Sequence, residues 1–137
     1  MKTYLKELRV TTKRKMEVLK ITEQVNQVIK ESGINDGIVT IYVPHATATV
    51  IVNEFEPRII NDYVEWIRRN IPADAGWEHD EIDNNAYAHI ASAILGPGKV
   101  IPLHKGRLML GTWQEIMLLE LDGPRNFRTV VVQIIGS

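Results

Sequence analysis

Residues 37–54 read Gly-Ile-Val-Thr-Ile-Tyr-Val-Pro-His-Ala-Thr-Ala-Thr-Val-Ile-Val-Asn-Glu, and much of the architecture can be inferred from them. Residues 37–43 and 47–52 are rich in β-branched side chains, which favour strands. Pro44 interrupts the pattern, because proline cannot donate a hydrogen bond to a sheet. The stretch therefore predicts two strands separated by a break. His45 follows that break, where a rigid scaffold can display a functional side chain.

Helical patterns lie on both sides of these strands. Apolar residues recur at helical spacing over 17–31, which predicts an amphipathic helix that Gly33 ends. A second helix is predicted over 57–70, with Pro57 in its first turn. A third is predicted to begin at a cap formed by Asp83 or Asn84 and to run to Leu95.

The remaining strands are predicted over 3–12, 100–103, 107–121 and 129–135. The third of these is long, and we expect it to bend near Gly111. Strands and helices follow one another in mixed order, which is typical of an α+β fold. We predict a single domain over residues 1–137, with antiparallel or mixed sheets and about three helices.

The bulk composition narrows the class of protein. Sixteen basic and seventeen acidic side chains give a net charge of −1, which disfavours a dedicated nucleic-acid binder. There is no cysteine, so cysteine-ligated zinc and iron–sulfur sites are excluded. No apolar run approaches the roughly 20 residues that a membrane helix needs. We therefore expect a cytoplasmic protein that binds neither nucleic acid nor membrane.

Three histidines lie in polar, turn-rich surroundings: His45, His79 and His89. With a carboxylate from Glu54 or Asp62, they could hold zinc or a similar divalent metal. The alternative is structural: a surface His45, and a His89 packed beside the apolar stripe of its helix.

Two further segments carry candidate binding residues. Trp113 and Gln114, within Gly-Arg-Leu-Met-Leu-Gly-Thr-Trp-Gln at 106–114, could stack on and hydrogen-bond a flat heterocycle. Core packing around a bulge explains the same segment equally well. Arg107, Arg125 and Arg128 are expected to converge at one sheet end, where arginine forks suit phosphate oxygens. A plain turn at Asp-Gly is the alternative there.

These segments form an ordered series along the chain. Its members are His45-Ala46-Thr47-Ala48, Asn53-Glu54, Asp62, His79, Ala88-His89, the Gly106–Gln114 stretch and Asp122-Gly123-Pro124-Arg125. The series resembles the secondary thiamine-phosphate synthase (YjbQ-like) family over nearly the whole chain. One position departs from that family, since Ala46 stands where its loop has a first threonine.

The resemblance implies an α+β subunit that assembles as a homotrimer, with a pocket near the histidines that lies either within one subunit or at a subunit interface. It also implies an activity that joins a pyrimidine diphosphate to a thiazole phosphate and releases pyrophosphate. That activity is regarded as secondary, which leaves the physiological reaction open.

Roles follow for individual residues. The predicted catalytic residues are His45, Glu54 and Arg107, with His45 as a general acid or base. The predicted substrate-binding residues are Thr47, Asn85, Trp113, Gln114 and Arg125. The predicted ligands of a divalent metal, zinc or magnesium, are His45, His79 and His89. A zinc-dependent hydrolase of a phosphorylated small molecule and a non-enzymatic trimeric ligand-binding module are the alternative functions.

Overall fold

The computed structural model describes residues 1–137. Its strands are β1 (Lys2–Thr12), β2 (Glu17–Lys20), β3 (Gly37–Tyr42), β4 (Ala48–Asn53), β5 (Gly98–His104), β6 (Arg107–Leu108), β7 (Glu115–Glu120) and β8 (Arg125–Gly136). Its α-helices are α1 (Thr22–Ser32), α2 (Pro57–Asn70) and α3 (Ala86–Leu95), and a short 3-10 helix covers Glu78–Glu81. None of these helices is both long and apolar enough to cross a membrane.

The strands form two antiparallel sheets. One has five strands in the order β1-β8-β3-β5-β6, and the other has three in the order β2-β7-β4. This arrangement confirms the predicted single α+β domain with three helices and antiparallel sheets.

Side chains of β3 point alternately to the two faces of the sheet, and the inward face lies in the main core. Val39 and Ile41 are fully buried, whereas Ile38 and Tyr42 on the opposite face are exposed. The inward face joins residues of α1 and of both sheets in a cluster of 17 buried side chains. A second cluster of seven holds α2 and α3 against β7, and it includes Ile67, Ala88 and Leu119.

Helix α2 begins where the sequence predicts. The Glu56 carboxylate accepts hydrogen bonds from the backbone N–H groups of Arg58 and Ile59, each at 3.0 Å. Pro57 occupies the first turn, where a missing N–H costs nothing. The predicted range 57–70 matches Pro57–Asn70.

The predicted helix over 17–31 is wrong at its start. Glu17–Lys20 is strand β2, in which Val18 pairs with Leu119. The helix begins only at Thr22, whose hydroxyl accepts a hydrogen bond from the Ile116 N–H at 2.9 Å. Apolar residues in so short a segment fit a strand as well as a helix, and pairing with β7 decides between them.

The single strand predicted over 107–121 is also wrong. The chain leaves the five-stranded sheet after Leu108 and enters the three-stranded sheet at Glu115. Between them, Gly111 and Gln114 close a turn. The Gln114 N–H donates to the Gly111 carbonyl at 3.1 Å, and the Gly111 N–H donates to the Gln114 side chain at 2.8 Å.

Several strand ends meet at one end of the molecule. Strand β3 ends at Tyr42, paired with Val131, so the first residues of β8 extend beyond it. Strand β4 starts at Ala48, paired with Glu120 at the end of β7. The histidine loop at residues 43–47 joins β3 to β4 at this same end.

Candidate functional site

A cleft of about 740 Å³ lies beside the histidine loop. The loop contributes Pro44, His45 and Ala46, and α3 contributes His89 and Ser92 from the facing side. The fold thus brings together two of the three predicted histidines from distant parts of the chain.

His45 is held by the backbone of β8. The Thr129 N–H donates to His45 Nε2 at 2.9 Å. Because an accepting nitrogen must carry a lone pair, the neutral ring bears its proton on Nδ1. Burial, assisted by the positive charge of Arg128, lowers the pKa of His45 below its ordinary value. The ring is therefore a neutral hydrogen-bond donor at neutral pH.

A buried ion pair between Arg128 and Glu120 anchors the histidine loop through Thr47. Arg128 Nε donates to Glu120 Oε1 at 2.9 Å, and Arg128 Nη2 donates to Thr47 Oγ1, also at 2.9 Å. The Thr12 hydroxyl donates to Glu120 at 2.7 Å. Burial alone would raise the pKa of Glu120, but these hydrogen bonds outweigh it and hold that pKa below its usual value.

His79 and His89 form a pair on the other side of the cleft. Their ring centroids are 4.6 Å apart, with the planes inclined at 62°. This contact extends the histidine cluster beyond the two rings that line the cleft. His79 Nε2 lies 3.1 Å from Asn85 Oδ1.

The neighbours of Asn85 fix the tautomer of His79. Asn85 Nδ2 donates to Asp122 Oδ2 at 2.9 Å, so the amide oxygen faces His79. An amide oxygen only accepts, which makes His79 Nε2 the donor. In the neutral ring, His79 Nδ1 then carries the free lone pair.

Asp122 anchors this chain of hydrogen bonds. Its carboxylate also accepts from Lys15 and from Arg125 Nη2, the latter at 3.2 Å. Burial opposes ionisation, but the Lys15 and Asn85 hydrogen bonds prevail and lower the pKa of Asp122. A charged carboxylate thus orients His79 through one intervening amide.

Four predicted residues lie elsewhere. Glu54 follows the far end of β4, about 23 Å along the strand from Thr47. Trp113 and Gln114 precede β7 at the end where Glu115 pairs with Asn53, again remote from Glu120. Arg107 pairs with His104 at the opposite end of the five-stranded sheet.

The predicted convergence of three arginines is therefore corrected. Arg125 and Arg128 lie at the start of β8, near His45, but Arg107 does not join them. Arg128 is also unsuited to contact a ligand, because it is 2% exposed and its guanidinium is engaged by Glu120 and Thr47.

Sequence reasoning missed several groups that organise the site. Lys15 and Thr12 carry no motif of their own, and their roles arise only when β1 and the following turn meet residues 120–125. Asp122 was noted as a turn residue and as part of the Asp-Gly-Pro-Arg segment, but with no role in orienting His79. Asn85 and His89 are four residues apart, which places them on one face of a helix. That spacing was the one signal in the sequence that polar side chains would gather around α3.

The residues do not fit a complete metal site within one chain. No group of three or more His, Cys, Asp or Glu side chains lies close enough together to hold an ion. His45 Nε2 is engaged by Thr129, so metal binding there would require that hydrogen bond to break. Metal coordination by His45, His79 and His89 stays a prediction.

Together, fold and site define a small α+β protein with a histidine cleft at the ends of two antiparallel sheets. The family model described as UPF0047 protein YjbQ-like matches residues 6–137. The chain belongs to this YjbQ-like UPF0047 family.

Individual relatives agree in sequence and structure. A UPF0047 protein of Methanothermobacter thermautotrophicus is 39% identical over 137 residues, covering 100% of this chain and 95% of the relative. YugU of Bacillus subtilis is 35% identical, covering 96% and 99%.

Solved structures give the same result. A YbjQ-like protein of unknown function from Sulfolobus solfataricus superposes with a TM-score of 0.97 at 41% identity, covering 99% of both chains. A hypothetical protein from Aeropyrum pernix gives 0.94 at 43% identity, covering 100% of both.

Proposed function

We propose that the cleft between His45 and His89 is an active site for a phosphorylated heterocycle. The reaction is the one that the family resemblance implies, the joining of a pyrimidine diphosphate to a thiazole phosphate. The observation that carries the proposal is the hydrogen-bonded series Asp122–Asn85–His79, which fixes the tautomer of a ring packed against cleft-lining His89. An ordinary surface histidine needs no such support.

The chemistry is a substitution at carbon. The thiazole nitrogen attacks the methylene carbon of the pyrimidine, a C–N bond forms, and the C–O bond to the diphosphate breaks. Pyrophosphate leaves with the electron pair, and the ring nitrogen becomes positively charged. The principal demand on the protein is to stabilise negative charge on the departing oxygen.

Two groups of this chain are suited to that demand. His45 keeps an Nδ1–H free to donate, because Nε2 is already engaged. Arg125 contacts Asp122 through Nε and Nη2 and keeps its remaining N–H groups for an anion. His79 Nδ1, the free acceptor, suits an N–H donor outside the pyrimidine ring or an ordered water.

The sequence predicts that Thr47 and Asn85 bind substrate, but we propose a different role for both. Both residues are only 6% exposed, and their polar atoms bind Arg128, His79 and Asp122. We assign them to positioning the histidines, with substrate binding left to Arg125 and the cleft walls.

A second subunit would be needed to bring Arg107, Trp113 and Gln114 to the cleft. Within one chain, the length of β7 separates Gln114 from Glu120, about 20 Å. Tyr42 lines the cleft and also lies on the exposed face of the five-stranded sheet. A neighbouring subunit seated on that face, as in the homotrimer implied by the resemblance, would also border the cleft.

The test is an assay of pyrophosphate release and thiamine phosphate formation by the purified protein. We expect His45→Ala, His79→Ala and His89→Ala each to lower the rate about 10²-fold or more. The control is Arg69→Ala, since Arg69 is an exposed side chain of α2 that pairs with Glu65 and does not line the cleft. Changes of less than a few-fold in all three cleft variants would remove the proposal.

Further measurements on the same purified protein distinguish the synthase from the two alternative functions. Hydrolysis of phosphate esters that requires stoichiometric zinc would favour the hydrolase. Saturable binding of phosphorylated heterocycles without turnover would favour the binding module. Metal analysis tests the ligand prediction, since metal held by the histidines should be lost in His89→Ala.

A further inference from the structure

Helix α3 borders a second cleft, distinct from the one that contains His45. Ser92 and Ala93 line the histidine cleft, whereas Leu95 lines the second, which lies between α2 and β4. Its volume is about 340 Å³, at the small end of the range for ligand pockets. Seven of its nine lining residues are hydrophobic, and the other two are Asn53 and Lys99.

Lys99 is unusual in this apolar setting. Its Nζ donates one hydrogen bond, to the Leu95 carbonyl at 3.0 Å, although an ammonium has three donors. None of the ion pairs in the molecule includes Lys99. Burial lowers the pKa of this lysine, as expected for an ammonium that lacks a countercharge.

The apolar wall of the cleft is also incompletely covered. Trp66 on α2 is 54% exposed, although it lines the cleft together with Ile51 and Leu119. The Tyr63 hydroxyl already donates to the Glu54 carbonyl at 2.9 Å, so it adds no free donor. The cleft therefore offers an aromatic surface and one unpaired positive charge.

We infer that this cleft binds a small apolar carboxylate, with its aromatic or aliphatic body against Trp66 and its carboxylate on Lys99. The positive charge of Lys99 favours a ligand that carries a negative charge. Lys99 is the only cationic side chain that lines the cleft, which matches a single negative charge better than a phosphate dianion. The apolar walls select the body of the ligand by removing it from water.

The test uses the full chain with 2-naphthoate as probe and 2-naphthalenemethanol as its neutral counterpart. Binding is followed by calorimetry and by the indole N–H resonances of the three tryptophans. We expect saturable 2-naphthoate binding that shifts the Trp66 resonance and leaves that of exposed Trp113 in place. Lys99→Met should weaken 2-naphthoate about tenfold or more and leave the alcohol unchanged, because it removes only the charge-assisted contact.

Matched variants keep the result interpretable. Trp66→Ala alters an exposed side chain and should weaken both probes, whereas His89→Ala should weaken neither. Absence of saturable binding to the wild-type chain would overturn the inference. So would a Lys99→Met protein that binds 2-naphthoate as tightly as wild type, or a shift confined to Trp113.

Discussion

At the scale of single residues, the site depends on which ring nitrogen carries a proton. His45 and His79 use their Nε2 atoms in opposite ways, since one accepts from Thr129 and the other donates to Asn85. Their free nitrogens are therefore a donor on His45 and an acceptor on His79. This difference gives the two histidines separate chemical roles.

The Asn85 amide should control the tautomer of His79. Asn85→Leu keeps a similar volume but leaves both His79 Nε2 and Asp122 without their shared partner. We expect the Nε2–H preference of His79 to be lost in ¹⁵N spectra and the reaction rate to fall about tenfold or more. An unchanged tautomer and rate in a folded variant would contradict the positioning role.

The sequence predicted the identity of these histidines but not their orientation. His45 could be recognised because it follows Pro44 between two strands. The donors and acceptors that fix the rings come from Thr129, Asn85 and Asp122, and a ring tautomer depends on such partners. These contacts span up to 84 residues of chain, which no local pattern reports.

At the scale of elements, the Glu120–Arg128 pair joins β7 and β8 below the histidine loop. Glu120 is fully buried and Arg128 nearly so. Removing one partner leaves the other as an uncompensated buried charge, which is far more costly than losing a surface pair.

Arg128→Met should therefore lower the free energy of unfolding by about 3–5 kcal/mol in denaturant titrations. The control is Arg69→Met, which breaks an exposed pair with Glu65 and should cost less than about 0.5 kcal/mol. The double variant Glu120→Leu/Arg128→Met should recover much of the loss. Similar small effects for both single variants would refute a structural role for the buried pair.

Element prediction succeeded where local signals were complete. Helix α2 has an apolar stripe and Pro57 in the first turn, and the predicted range agrees with the observed one at both ends. Strand β2 has four residues, and its identity depends on pairing with β7 about 100 residues later. Residues 107–121 are likewise divided between two sheets by tertiary pairing, and the alternation of apolar and polar residues does not show where the division falls.

At the scale of the whole molecule, one sheet face lacks a cover. Leu5, Ile38, Tyr42 and Val100 lie on the outward face of the five-stranded sheet, and each is more than 40% exposed. Gln133 and Thr40 lie between Leu5 and Val100 on this face. Several large apolar side chains exposed on one face are typical of protein interfaces. We expect a neighbouring subunit to cover this face, as the homotrimer implied by the family resemblance would require.

Light scattering coupled to gel filtration tests this assembly. We expect the chain to elute at about three times its mass of 15.6 kDa. Ile38→Lys/Val100→Lys should shift it to the monomer mass, because charges on the face oppose its burial. Ile82→Lys changes an exposed apolar residue outside the sheets and should leave the trimer intact. A wild-type monomer would contradict the assembly and the proposed access of Arg107 to a neighbouring cleft.

The most direct test of the histidine cleft is a ligand titration followed by the ring ¹⁵N resonances of the four histidines. The pyrimidine diphosphate substrate, added without the thiazole phosphate, should shift His45 and His89 together along one saturation curve. His104 pairs with Arg107 at the other end of its own subunit, so it should move only where a neighbouring subunit brings Arg107 to the cleft. Saturable binding that leaves His45 and His89 unshifted would contradict an active site between them.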